Sequence, residues 1–364
     1  MKKSFRIGKN WIIAENHKSL HFSYCTICFP FGSDEDPEGK SGMAHLLEHV
    51  LSFSLKRILP VFEFCHSYAV TNHKYIRLLF VIPVEDTVAT IYQIVVNLFS
   101  DPIDSSYFDK QKLKVVYELL HTKKTDGINA IEQYEALNKG NFLRSPRPTG
   151  GIPSEVSSIS LEEMENHYIR MIRNKGIVLC IATNSQVLGL IHENTFSMND
   201  KLENQFTGNS EKYVIEGDQK PLVLSQNTYN TFSCIIDEKI SMNQFNVLKV
   251  LSHIINDAGE DGKIYLVDYS REKRLYYTTK NQTSAEKELR KRILDLSEKD
   301  YQKALRTFWL ETSFDIGWSI CELNLLFPQE KSAVLELEKW RETAIAETFK
   351  KEVLQLLWPG REDT

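Results

Sequence analysis

The chain has 364 residues, 42% of them apolar and 26% charged, and carries a net charge of −5. That is ample apolar content for packed cores and enough length for two to three domains. The mild acidity and the lack of a basic stripe interleaved with aromatics exclude a nucleic-acid partner, and with no run of about 18 uninterrupted apolar residues nothing reads as a membrane span.

From the N-terminus, Met1-Lys2-Lys3-Ser4-Phe5-Arg6 is basic but lacks the apolar segment of a secretory signal, so a cytoplasmic address is expected. Trp11 to Ala14 and Phe22 to Phe29 read as strands. Cys25 and Cys28 lie inside the second strand with no further C-x-x-C to complete a zinc site. They read as strand thiols, and the scattered Cys65, Cys180, Cys234 and Cys321 as free thiols. A polar loop punctuated by glycine and proline, Phe31 to Gly42, delivers the chain to a helix running through Phe53, with Ala44, Leu47, Val50 and Leu51 as its packing face. Gly39-Lys40-Ser41 is no phosphate loop, because Asp34 stands where that spacing needs glycine.

Ile76 to Ile82 reads as a strand, and Val88, Ile91, Tyr92, Val95, Leu98 and Phe99 mark an amphipathic helix ended by Asp101-Pro102. Leu113, Val116, Tyr117 and Leu120 recur at helical spacing in the segment from Phe108 to Leu120. Ser160 with Glu163 forms a capping box for a helix to Ile172, and Ile177 to Ala182 reads as a buried strand. The polar stretch from about Asn194 to Gln219 divides the chain into a first domain (1–190), a linker (191–218) and a second domain (219–364). The second half begins again with strands, Pro221 to Leu224 and Phe232 to Ile236, then a helix capped by Ser241 with Gln244 and continuing to about Ile255. Ser284 to Leu296 and Glu330 to Leu357 read as helices whose charged faces are solvated; Arg290-Lys291-Arg292 is balanced there by Glu286, Glu288 and Asp295. The class is α+β in two halves, the second echoing the order of the first.

Within the first helix stands His45-Leu46-Leu47-Glu48-His49. The histidines are one turn apart on one face and can ligate one metal ion, with Glu48 in reach of a metal-bound water. This H-x-x-E-H order, the reverse of H-E-x-x-H, reads as a zinc hydrolase site. Two histidines on an amphipathic helix can also be half-buried polar residues, but the apolar frame around these favours a ligand pair. Catalytic zinc takes three protein ligands and leaves a position for water. Glu118 is the candidate for the third, provided its helix packs against the first; alone, a glutamate on a Lys-rich helix reads as a surface residue.

These segments resemble the M16 metallopeptidases, the inverzincins that include pitrilysin, insulin-degrading enzyme and the mitochondrial processing peptidases. The residues carrying the resemblance are Gly32-Ser33-Asp34-Glu35, then Gly42-Met43-Ala44-His45-Leu46-Leu47-Glu48-His49, and Val115-Val116-Tyr117-Glu118. Weaker matches follow at Pro148-Thr149-Gly150-Gly151, at Ser157 to Glu163 and at His167-Tyr168, and the second half matches only faintly. The resemblance implies two homologous α/β domains of the LuxS/MPP-like metallohydrolase type. It implies Zn2+ held by His45, His49 and Glu118 in the first domain, Glu48 as general base, and no metal in the second.

The chain departs from the family pattern in three places. The step from His49 to Glu118 is a few residues short, and Gln111 replaces a family glutamate one heptad before the distal ligand. The family stretch R-E-K-x-x-L-x-Y, whose arginine and tyrosine bind the substrate carbonyl, is Arg271-Glu272-Lys273-Arg274-Leu275-Tyr276-Tyr277 here, one residue shorter between Arg271 and Tyr277. Enzymes of the family enclose an unfolded peptide between two halves, and a chain of this length resembles a short bacterial-type subunit. A homodimer or a heterodimer with a related M16 subunit is therefore implied. The implied activity is zinc-dependent endopeptidase hydrolysis of peptides, with leader trimming of a precursor or general oligopeptide turnover as substrate classes. The alternative is a non-catalytic or partner-dependent scaffold subunit of a heteromeric peptidase, against which the intact His45, Glu48 and His49 speak.

Overall fold

The computed structural model describes residues 1–58, 67–100, 103, 105–121, 131, 135, 148–192, 230–237, 240–257, 262–268, 273–281, 284–314, 316–329, 332 and 346–359. The chain forms two compact units, the first from Met1–Thr122, Arg147–Val214 and Gly317–Ala333, the second from Lys123–Pro146, Ile215–Ile316 and Val334–Thr364. Most of the expected linker (193–218), the strand Pro221 to Leu224, Cys65, and all of 330–345 except Ser332 lie outside the described residues.

The first unit is built on β1 (Lys2–Ile7), β2 (Asn10–Asn16), β3 (Phe22–Phe29), β4 (Ser67–Thr71), β5 (Ile76–Pro83) and β6 (Val178–Thr183). They form one sheet in the order β1-β2-β6-β3-β5-β4. β2 and β6 run parallel and the other pairs antiparallel. Because side chains alternate across a strand, Cys25, Ile27 and Phe29 share a face with their partners Phe80, Leu78 and Ile76. That face packs on Leu46, Leu47, Val50 and Leu51 of α1 (Met43–Ile58). Around it lie α2 (Thr87–Ser100), α3 (Phe108–His121), the short α4 (Pro153–Ser157), α5 (Leu161–Lys175) and α6 (Ser185–Leu190). The capping box expected at Ser160 and Glu163 is formed, with both of its hydrogen bonds present.

α3 forms where helical spacing places it, but it is rolled differently. Leu113, Tyr117 and Leu120 are exposed, while Phe108, Gln111 and Val115 are buried. Packing on α1 has taken precedence over the apolar periodicity.

The opposite face of the sheet is covered by α10 (Ile316–Leu326), which all but its first residue assigns to the first unit. Trp318 meets Tyr24 edge to face with ring centroids 5.1 Å apart, and a side chain at Gly317 would collide with the Tyr24 ring. Glu15 on β2 is fully buried and accepts hydrogen bonds from Asn324 Nδ2 at 2.8 Å and from the Ser332 hydroxyl.

In the second unit, β7 (Asn230–Ile236), β8 (Gly262–Asp268) and β9 (Lys273–Thr279) form an antiparallel sheet in the order β7-β9-β8. α7 (Met242–Asp257), α8 (Ala285–Leu294), α9 (Glu298–Phe314) and α11 (Ala346–Leu357) accompany it. The run β7-α7-β8-β9-α8 repeats the run β3-α1-β4-β5-α2, down to the middle position of the last strand in the pairing order. Among the described residues no helix is long and apolar enough to cross a membrane, and Cys25, Cys28, Cys180, Cys234 and Cys321 are free thiols.

His167 on α5 is buried against Phe31, its Nδ1 3.0 Å from Arg170 Nη2. Burial and then the Arg170 charge lower its pKa to about 4. The unfolded chain therefore takes up a proton near pH 6.5 that the folded chain refuses until about pH 4, so stability falls as pH drops through that window. The shift corresponds to a loss on the order of 3 kcal/mol. Urea unfolding at pH 7 and pH 4 is expected to show a smaller loss for His167→Phe than for the parent chain; equal losses would remove His167 from this role.

Candidate metal centre

Placing the histidines begins with the start of α1. The buried Asp36 carboxylate accepts from the backbone N–H of Gly42 at 2.6 Å and of Ala44 at 2.8 Å, which puts a negative charge at the positive end of the helix. Met43, Ala44, Leu46, Leu47, Val50, Leu51 and Leu55 are all buried, so α1 is apolar over most of its circumference. Burial of the four leucines, at about 2 kcal/mol each, outweighs the few kcal/mol of holding His45 and Glu48 partly out of water. The remaining polar lane faces α3 and β4.

The site then closes from the α3 side. His45 Nε2 lies 3.8 Å from Glu118 Oε1, and His49 Nε2 lies 3.5 Å from Glu118 Oε2. One ligand atom from each of the three residues falls within 4.8 Å of the others, and they are the one such group among the described residues. A tetrahedral zinc site with bonds of about 2.0–2.1 Å spaces its donor atoms about 3.3 Å apart. The group is thus slightly open and of the right chemistry, two imidazoles and a carboxylate.

His45 Nδ1 donates to the Gly150 carbonyl at 3.0 Å, which fixes the tautomer and leaves the Nε2 lone pair on the site side. That carbonyl can approach because residues 148–151 lie flush against the start of α1. Gly151 has φ +96°, and a Cβ there would stand 2.3 Å from Gly42 Cα. Burial, followed by the charges of His45, Lys114 and Lys56, lowers the His49 pKa to about 4, so its ring is neutral and able to ligate at pH 7.

Glu48 is buried beside the pair. Thr71 Oγ1, at the end of β4, donates to its Oε2 at 2.9 Å, leaving Oε1 available. Burial raises the Glu48 pKa above the ordinary carboxylate value, opposed by His45 and by the Thr71 hydrogen bond. Thr71 carries no motif of its own, and nothing in the sequence singled it out.

The structure brings together His45, Glu48, His49 and Glu118. Gln111 is buried one heptad before Glu118, and its Nε2 has no hydrogen-bond partner. Tyr277 is fully buried in β9 of the second unit, where its hydroxyl donates to Glu288 Oε1 at 2.8 Å. Burial and that hydrogen bond push its phenol pKa up. Arg271 lies outside the described residues.

No family model matches the sequence, and no curated protein matches it. In structure the chain is similar to a protease from Helicobacter pylori, at 12% identity with 98% of this chain and 96% of that chain covered and a TM-score of 0.69. It is also similar to a peptidase M16 inactive domain from Pseudomonas fluorescens, at 11% identity, 98% and 95% coverage and a TM-score of 0.65. The first half of the periplasmic protease PqqL from Escherichia coli matches at 11% identity, 98% and 89% coverage and a TM-score of 0.61. At these identities the likeness shows the fold, an α+β fold of the M16 peptidase type.

Because Gly150 and Gly151 bring the Gly150 carbonyl to His45, any zinc affinity of the His45, His49 and Glu118 group is expected to fall about ten- to a hundredfold in Gly151→Ala. Competition with a chromogenic chelator measures this, alongside thermal unfolding to check that the variant folds; an unchanged affinity in a folded variant would contradict it.

Proposed function

We propose that this chain is a zinc-dependent peptidase in which His45, His49 and Glu118 hold Zn2+ and Glu48 is the general base. The observation that carries the proposal is the convergence of those three ligand atoms within 4.8 Å, with Glu48 on the same turn of α1. Zinc bound there would polarise a peptide carbonyl and lower the pKa of water from about 16 towards 7.

The chain's own groups account for the proton. Thr71 fixes Oε2 of Glu48, so Oε1 is the atom that accepts the proton from water and returns it to the leaving amine. Burial keeps the carboxyl basic enough to hold that proton between the two steps. β4 supports a peptide as the substrate. Among the described residues it pairs only with β5, so its other edge offers backbone N–H and C=O groups to an extended chain, and Thr71 ends that edge next to Glu48.

Trimming of a precursor peptide and turnover of oligopeptides both use this chemistry, and both remain within the proposal, as does a cytoplasmic setting. Arg271 and Tyr277 are proposed as oxyanion donors, either from this chain or as counterparts on a second subunit. The bond from Tyr277 to Glu288 and the uncharged Gln111 favour the second form: a homodimer or a heterodimer with a related M16 subunit, in which this chain contributes the metal side. A purely scaffolding role is the other reading these two residues favour.

Metal analysis of the purified chain is expected to give one zinc per chain, and a quenched-peptide assay to show chelator-sensitive cleavage. Glu48→Gln is expected to keep the zinc and lose about a thousandfold in kcat; retained turnover would remove Glu48 as base. Thr71→Val is expected to lower kcat about ten- to a hundredfold at unchanged KM and zinc content, with Thr71→Ser restoring it. A fully active monomer by light scattering would overturn the subunit proposal.

A further inference from the structure

α1 and α3 run antiparallel away from the metal site, and the seam between them becomes cationic. Phe53 follows His49 by one turn and Lys114 precedes Glu118 by one turn, and Lys114 Nζ lies 6.0 Å from the centre of the Phe53 ring. Lys56 follows Phe53 on the same side of α1. Lys110 precedes Lys114 by a turn of α3, with Nζ 5.8 Å from the centre of the Tyr107 ring. Tyr107 in turn packs on Phe53, their centroids 4.5 Å apart. Two aromatic rings thus lie at the outer edge of cation–π reach of the Lys110 and Lys114 ammonium groups.

All three lysines are exposed, and among the described residues none of them forms an ion pair with a carboxylate. The neighbouring acid, Asp109, pairs with Lys112 at 3.3 Å, and Glu118 faces the histidines. The half-buried Lys40 and Lys175 are matched, with Glu163 at 2.9 Å and Glu35 at 2.7 Å. Like charges gathered beside a site built for a dication repel one another unless an anion joins them.

We propose that Lys56, Lys110 and Lys114 form a subsite for a carboxylate of the bound peptide. The inference rests on the peptidase reading and names a substrate preference within it. Phe53 and Lys56 lie about 6 and 10 Å beyond His49 along the helix axis at 1.5 Å per residue. An extended peptide advances about 3.3 Å per residue, so the carboxylate sits about two to three residues from the scissile bond. Ammonium groups act as point charges with no fork geometry to satisfy, so an acidic side chain and a free C-terminal carboxylate both fit.

The test uses the zinc-loaded chain and matched quenched peptides that differ only by Glu or Gln at each of the four positions on either side of the cleaved bond. A further pair ends in a free acid or an amide. We expect about tenfold higher kcat/KM for one acidic peptide at low salt, converging on its neutral partner at high salt. In Lys56→Met and Lys114→Met the acidic-to-neutral ratio should fall towards one. A preference for an internal Glu assigns the subsite to side chains, and a preference for the free acid assigns it to the C-terminus. Fluorescence anisotropy on the Glu48→Gln chain reads the same preference as binding, without turnover. Cleavage or binding with no acidic preference overturns the subsite and leaves the peptidase reading standing. Selective binding without cleavage by the parent chain supports the subsite and counts against the isolated chain as an enzyme; no peptide bound at all overturns both.

Discussion

The chemistry of the first unit depends on α1 being unable to turn about its own axis. A helix with one apolar stripe can roll by tens of degrees at small cost, but a helix buried on most of its circumference would drag Leu46, Leu47, Leu51 and Leu55 out of their places. Asp36 fixes the other degree of freedom by binding the first N–H groups, so the helix cannot slide either. The two imidazoles and the Glu48 carboxylate are thereby held on one side of α1, facing α3 and β4. Ligand geometry that is organised in advance costs little reorganisation on binding, which is the condition for a tight site.

How much of this was legible in the sequence follows from how local each signal is. The bounds of β3 match the strand expected from Phe22 to Phe29, and the placement of His45 and His49 on one face of α1 needs only helical spacing. Helical spacing gives the helix that carries Glu118 but not its roll, because Leu113, Tyr117 and Leu120 are the apolar residues and yet face outwards. Packing on α1 turns Gln111 and Val115 inwards and places Glu118 beside His45 and His49, against the apolar periodicity. β1 and β4 are edge strands with half-exposed residues, so they lack the apolar runs that mark central strands. Thr71 comes from a strand 23 residues away from Glu48, and no local pattern announces such a contact.

The two halves show how one strand-helix-hairpin-helix module is specialised. Counted from the helix starts, His45, Glu48 and His49 of α1 correspond to Gln244, Val247 and Leu248 of α7, and the last two are buried core residues. The approach differs as well. The segment between β3 and α1 is long enough to carry Asp36 back onto the helix start, whereas β7 ends at Ile236 and α7 begins at Met242. In the second module Ser241 takes over the start of the helix, accepting from Gln244 N–H at 3.2 Å while Gln244 returns a bond to its backbone. A neutral capping box suffices where only packing is required.

The contribution of α10 to the first sheet bears on the order of events during synthesis. Translation delivers β2 with Glu15 early, while Asn324 and Ser332, which supply hydrogen bonds to that carboxylate, emerge about three hundred residues later. At the ribosome the early strands therefore present a sheet with one uncovered side, and a chain cut before α10 would leave the same side bare. Such a fragment would be a ready client for chaperones and proteases, so the first unit is completed only once α10 has been made.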